Sequence, residues 1–161
     1  MANFTGANVI TTSDVLKYQP DAFDFGISTT ATETTNFLAQ TTNDILRNLR
    51  IEWWPVYKQN IFTDITVLNT AEMVNTKVNL DQFERAGVYL FLGRFYLPAL
   101  TKFRPETEKD RFERMQEYYM SQYNIEWRMI LEDGVEYDTD ADGSIVTNER
   151  EPLHGFRRLT R

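Results

Sequence analysis

The stretch Leu80–Leu100 constrains the fold more than any other part of this 161-residue chain. It opens polar, with Asn79 placed to cap a helix and Asp81 in the first turn, where a carboxylate meets the positive helix end. From Ala86 onward only Gly87, Gly93, Arg94 and Pro98 interrupt the apolar residues. A helix that is apolar on nearly every face has to be covered on nearly every face. It is too short to span a bilayer and carries Arg94 near its middle, so it reads as a buried core helix. One domain of this length supplies two or three further helices. The expectation is therefore that a single subunit cannot cover this helix and that a second copy completes its burial.

Two other long helices are expected. Phe37, Leu38, Thr41, Ile45, Leu49 and Trp53 recur at steps of three and four, which predicts a helix from Glu33 to Trp53. Pro55 is expected to end it, and Pro98 to kink or end the buried one. Phe112, Met115, Tyr119, Tyr123, Trp127 and Ile130 predict a third helix from Glu106 to Leu131, with Gly134 as its C-cap. A short helix is predicted over Asp14–Tyr18, capped by Thr12 or Ser13. Ile65, Val67 and their threonine neighbours read as a brief strand or extended loop, and Thr70–Thr76 as a helical turn. The fold class is all-α: a small helical bundle through residue 134 with an extended N-terminal arm. A C-terminal tail, 135–161, shows no periodic pattern longer than a turn. Of the adjacent aromatics, one of Trp53 and Trp54 is expected in the core and the other at an interface or the surface, because successive helical residues point about 100° apart. Tyr118 and Tyr119 should divide in the same way.

Composition removes several functions. The net charge is −7, which does not suit a protein that grips a phosphate backbone but does suit a surface past which DNA slides. There is no cysteine, so disulfides, zinc–thiolate sites and thiol nucleophiles are excluded, in keeping with a reducing cytoplasm. The first residues have neither the basic start nor the apolar core of a signal peptide, and no stretch is long enough to span a membrane. No Gly-rich phosphate loop, nucleophile elbow or paired-histidine zinc motif occurs, and His154, the one histidine, sits in a polar tail. The reading is non-enzymatic.

One segment does have ligand chemistry. Asp138, Asp140, Asp142, Gly143, Ser144, Ile145 and Glu149 match the spacing of an EF-hand calcium loop at each position that pattern specifies. A hard cation such as Ca²⁺ takes oxygen ligands. The three alternate carboxylates and the Ser144 carbonyl can converge when the loop curls, and Glu149 can close the shell with two oxygens. The paired helices of an EF-hand are missing, since Asp133-Gly134 breaks one flank and Pro152 follows the other. An acidic surface turn is the alternative, because Asp and Gly favour turns in their own right. Beyond the loop, Phe156, Arg157, Arg158 and Arg161 give an acidic body a basic tip suited to docking on a partner's carboxylates, or else to a solvated tail.

In order, Glu52-Trp53-Trp54-Pro55, the apolar Ala86–Leu100 helix, the Arg111–Tyr123 run and an acidic Asp-Gly segment leading to Arg157-Arg158-Leu159-Thr160-Arg161 resemble the head–tail connectors of tailed bacteriophages. These small helical adaptors are also called head-completion proteins. The resemblance covers residues 10–161 and rests on the order of features, the family having no strict signature. It implies a structural virion protein of the phage neck: a ring of about twelve copies beneath the portal protein, joined to a downstream neck or tail protein, with a channel for DNA. It further implies that Phe156, Arg157, Arg158 and Arg161 anchor the tail on the portal. A calcium-type loop is not something the family requires. The rival reading is a free-standing calcium-binding regulatory or adhesion module.

Overall fold

A computed structural model describes residue 4 and residues 8–101, 111–146 and 149–151. The fold is all-α, with a single two-residue strand pair among the described residues. The described residues form two compact units, one of residues 46–82 with the chain from 128 onward, the other of 8–45 and 83–127. No helix among the described residues is long and apolar enough to cross a membrane.

The second unit holds the apolar helix, and its own chain covers it. Helix α1 (Thr12–Tyr18) starts two residues earlier than expected, because Thr11 and Asp14 form a capping box. The Thr11 N–H donates to Asp14 Oδ2 at 2.9 Å, and the Asp14 N–H donates back to Thr11 Oγ1. Val9 and Ile10, expected in a loose arm, are buried, and the Val9 N–H donates to Thr42 Oγ1 on α2 (Thr32–Asn48) at 2.9 Å. The buried stretch begins as a 3₁₀ turn at Leu80–Phe83, where Asn79 Oδ1 accepts from the Asp81 N–H. It continues as α5 (Glu84–Leu90), a π-helical segment Phe91–Tyr96 and α6 (Leu97–Leu100). Within residues 80–100 only Asp81, Arg85, Arg94 and Ala99 are exposed. Tyr18 and Tyr119 pack on Tyr89, Phe23 on Phe91 and Tyr96, Phe37 on Phe95, and Trp127 on Phe83. Arg85 and Arg94 reach out to Glu126 and Asp44. The expected shortage of cover is absent, since α1, the 22–25 turn, α2 and the last helix close round the apolar one.

Two glycines make that closure possible. A Cβ on Gly87 would meet Val9 Cγ1 and Ile10 Cγ2 at 2.9 Å, and one on Gly93 would meet Met120 at 3.0 Å. At both positions the missing side chain lets a neighbouring segment lie against the helix backbone.

Neither proline ends its helix. A helical proline lacks an N–H and crowds the carbonyl four residues back. The chain widens into a π-turn just before each proline: the Trp54 N–H donates to Leu49 O, and the Leu97 N–H to Leu92 O, five residues back. Helix α2 therefore runs on through Leu49–Trp53 into α3 (Trp54–Ile61), with Pro55 just after the widened turn that accommodates it.

In the first unit, Trp53 and Trp54 are both buried, against the expectation that one would face outward. Tyr57 and Tyr137 fill the space on either side of them, with ring centroids 4.4–5.7 Å apart. Trp54 Nε1 donates to Ala71 O at 3.2 Å, so its polar atom is satisfied. The brief strand or extended loop expected around Ile65 and Val67 is instead a short helix, α4 (Ile65–Thr70), because the Asp64 carboxylate caps it by accepting from the Thr66 N–H at 2.8 Å. The turn expected over Thr70–Thr76 is a 3₁₀ turn at Asn75–Lys77. The last helix, α7, is described from Arg111 and runs to Asp133; Gly134 follows with φ +102° and its N–H donates to Ile130 O. Tyr118 is exposed and Tyr119 buried, the division expected.

A strand-framed acidic loop as candidate metal centre

The two ends of the acidic loop are packed, with Asp138 and Glu149 both buried. Val135 and Tyr137 are buried while Glu136 is half-exposed, a two-residue period that ends in an isolated bridge between Tyr137 and Val78. Strand β1 (Val135–Glu136) pairs antiparallel with β2 (Arg150–Glu151). Glu136 is held from three directions: its N–H donates to Gln82 Oε1, its carboxylate accepts from Asn79 Nδ2 at 2.6 Å, and it pairs with Arg150. These strands take the place of the two helices of an EF-hand and bring Asp138 and Glu149 to the mouth of one loop. The Tyr137 N–H donates to Glu149 O at 3.1 Å, and the Asp138 N–H to Lys77 O at 2.8 Å.

Inside the loop, Asp138 organises the backbone. Its Oδ1 accepts from the Ala141 N–H at 2.6 Å and its Oδ2 from the Gly143 N–H at 2.9 Å. Ala141 and Gly143 have φ of +64° and +82°. Gly143 adopts this conformation without strain, whereas Ala141 is held there by the tight curl. Glu149 closes the loop from the far end, accepting from the Thr139 N–H at 2.7 Å and the Val146 N–H at 3.0 Å. Asp138 and Glu149 are both buried. Burial opposes ionisation of Asp138, but the N–H groups of Gly143 and Ala141 outweigh it and hold the carboxyl below the usual range.

Of the predicted ligands, carboxylate oxygens of Asp138, Asp140 and Glu149 lie within 4.8 Å of one another. Asp142 is turned to Ser144 instead, accepting from both its N–H and its Oγ at 2.8 and 2.9 Å. The structure thus assembles three of the four expected carboxylates into one oxygen-rich cluster, the donor set a hard cation takes. Phe156, Arg157, Arg158 and Arg161 lie outside the described residues. Comparison with family models, with characterised proteins and with solved structures finds no match to this chain.

The acidic motif contained no sign of the residues that clamp the loop from outside. Lys77 Nζ donates to Thr139 O at 2.5 Å, and Tyr57 Oη shares a hydrogen bond with Thr139 Oγ1 at 2.9 Å. Both partners are more than sixty residues away in sequence. The alternation Val135, Tyr137 was the one local signal that a strand enters the loop.

Proposed function

We propose that the chain is a structural adaptor of a bacteriophage neck. It forms a ring beneath the portal protein, joins it to the next neck or tail component and leaves a passage for DNA. The order of sequence features resembles that family, and the net charge of −7 suits a wall that DNA must pass without sticking. The buried helix no longer contributes to this reading, because one copy covers it.

The observation that carries the reading is the surface segment 58–72. It contains Ile61, Phe62, Ile65, Val67 and Leu68, yet none of its residues is buried, and Ile65 is 69% exposed. Ile65 and Val67, left exposed by their own chain, are the kind of apolar side chains that an assembling subunit presents to a neighbour. The test is to measure the mass of the purified chain alone and with portal protein. A ring-sized complex on the portal is expected, lost when Ile65→Asp and Val67→Asp are combined and when residues 153–161 are deleted, with folding retained in both. No association of the intact chain with any portal overturns the reading.

A second reading, a calcium-binding module, is favoured by the convergence of Asp138, Asp140 and Glu149. Calorimetry with calcium chloride separates the two. Tight binding with a large change of shape supports the module, and binding that only raises the melting temperature supports an ion that stiffens the adaptor. An absence of heat identifies the loop as an acidic turn.

A further inference from the structure

The first unit holds a cavity that neither reading above uses. It lies between α3, the 71–77 segment and the entry to the acidic loop, has a volume of about 240 Å³ and is walled by four aromatic rings, Trp54, Tyr57, Phe62 and Tyr137. Trp54, Tyr57 and Tyr137 are buried with their ring centroids 5.3–5.5 Å apart, so that wall is packed before any guest arrives. Its polar atoms are already engaged. Trp54 Nε1 donates to Ala71 O, Tyr57 Oη is bonded to Thr139 Oγ1, and Tyr137 Oη accepts from the Val74 N–H at 3.2 Å. Lys77, also in the lining, donates its ammonium to Thr139 O. These four bonds tie α3, the 71–77 segment and the loop together and keep the void from collapsing.

We infer that this cavity binds a small neutral aromatic molecule of one or two rings. Size sets the upper limit. An apolar cavity of about 150 Å³ takes up benzene, so one of about 240 Å³ admits indole or naphthalene. Charge sets the rest. Glu72 and Lys77 bring one charge of each sign to the lining, which is therefore neutral overall. A charged guest would give up its water and meet ring carbons, because the donors of the wall already have acceptors. Ring faces and edges, with the side chains of Ile61 and Val74, are what the cavity offers. The inference does not rest on the adaptor reading, since the lining belongs to one unit of one copy.

Calorimetry and proton NMR with indole test the inference on the full chain. One saturable site per chain is expected, with intermolecular Overhauser contacts from bound indole to Phe62 and Val74; these contacts need no variant. Indole-2-carboxylate, the same rings with a charge attached, should bind roughly tenfold more weakly. Ala71→Phe, which places a ring in the cavity, should abolish indole binding while the melting temperature holds. Ile65→Asp combined with Val67→Asp, which removes the adaptor's apolar contact, should leave indole binding unchanged, so the two readings fail separately. No saturable binding, contacts to other residues in place of Phe62 and Val74, undiminished binding by a folded Ala71→Phe chain, or equal affinity for indole-2-carboxylate overturns the inference.

Discussion

The Leu80–Leu100 helix and the 58–72 segment are both rich in large apolar residues, and they meet opposite fates. The helix keeps four residues in solvent and buries or half-buries the rest, while the segment buries none. The difference lies in what the chain brings to each. The helix receives aromatic rings from α1, the 22–25 turn, α2 and α7, and two glycines through which neighbouring segments approach. The middle of the segment is shaped by local capping: Asp64 starts α4, and no residue of α4 is buried. Apolar composition therefore does not mark which surface a partner covers; that depends on what else the chain folds against it.

This contrast can be broken by substitution. Phe83, fully buried against Trp127, should lose about 3–5 kcal/mol on Phe83→Ala, read from denaturant midpoints. A value under 1 kcal/mol would mean that the helix is not the core of its unit. Gly87→Leu should cost about 1–3 kcal/mol, because the new side chain has to displace Val9 and Ile10. A neutral result would show that the 8–10 segment does not stay seated on α5.

The next effect is on pH. Burial raises the pKa of Asp14, but the hydrogen bonds from Lys17 and Thr11 lower it further, so its folded value lies below the usual 3.8. A lowered carboxylate contributes stability above its unfolded pKa and loses it as pH falls through the folded value. The protection factors of the Val15 and Gln19 amides, corrected for intrinsic exchange, should therefore fall below about pH 4, and Asp14→Asn should remove the dependence. The smallest change is expected at Ile65→Ser, within about 0.5 kcal/mol, since that side chain touches mostly water. A loss comparable to that of Phe83→Ala would erase the distinction between the two regions.

Much of the fold was legible because helical periodicity is local. The stripes Phe37–Trp53 and Phe112–Ile130 placed the long helices, and Gly134 placed the end of α7. The prolines misled because a proline forbids one hydrogen bond, not a helix; a single widened turn absorbs it, and the packing of Trp53 and Tyr96 holds that turn in place. At the acidic loop the spacing named the residues but not their arrangement. Asp142 turned to Ser144, a contact two residues away that needs no partner from elsewhere in the chain. Asp138 and Glu149 converged because β1 and β2 bring the loop ends together.

Residue order alone determined the helical class, the apolar stripe of each long helix, the caps at Gly134 and Asn79 and the oxygen-rich composition of the loop. Each follows from interactions within a few residues, whose geometry the backbone repeats. Only the tertiary structure decided that the greasiest helix is covered by its own chain, that both tryptophans are buried, and that strands frame the acidic loop. Those outcomes depend on contacts between residues tens of positions apart, where the gain from burial has to exceed the entropy of closing the intervening chain.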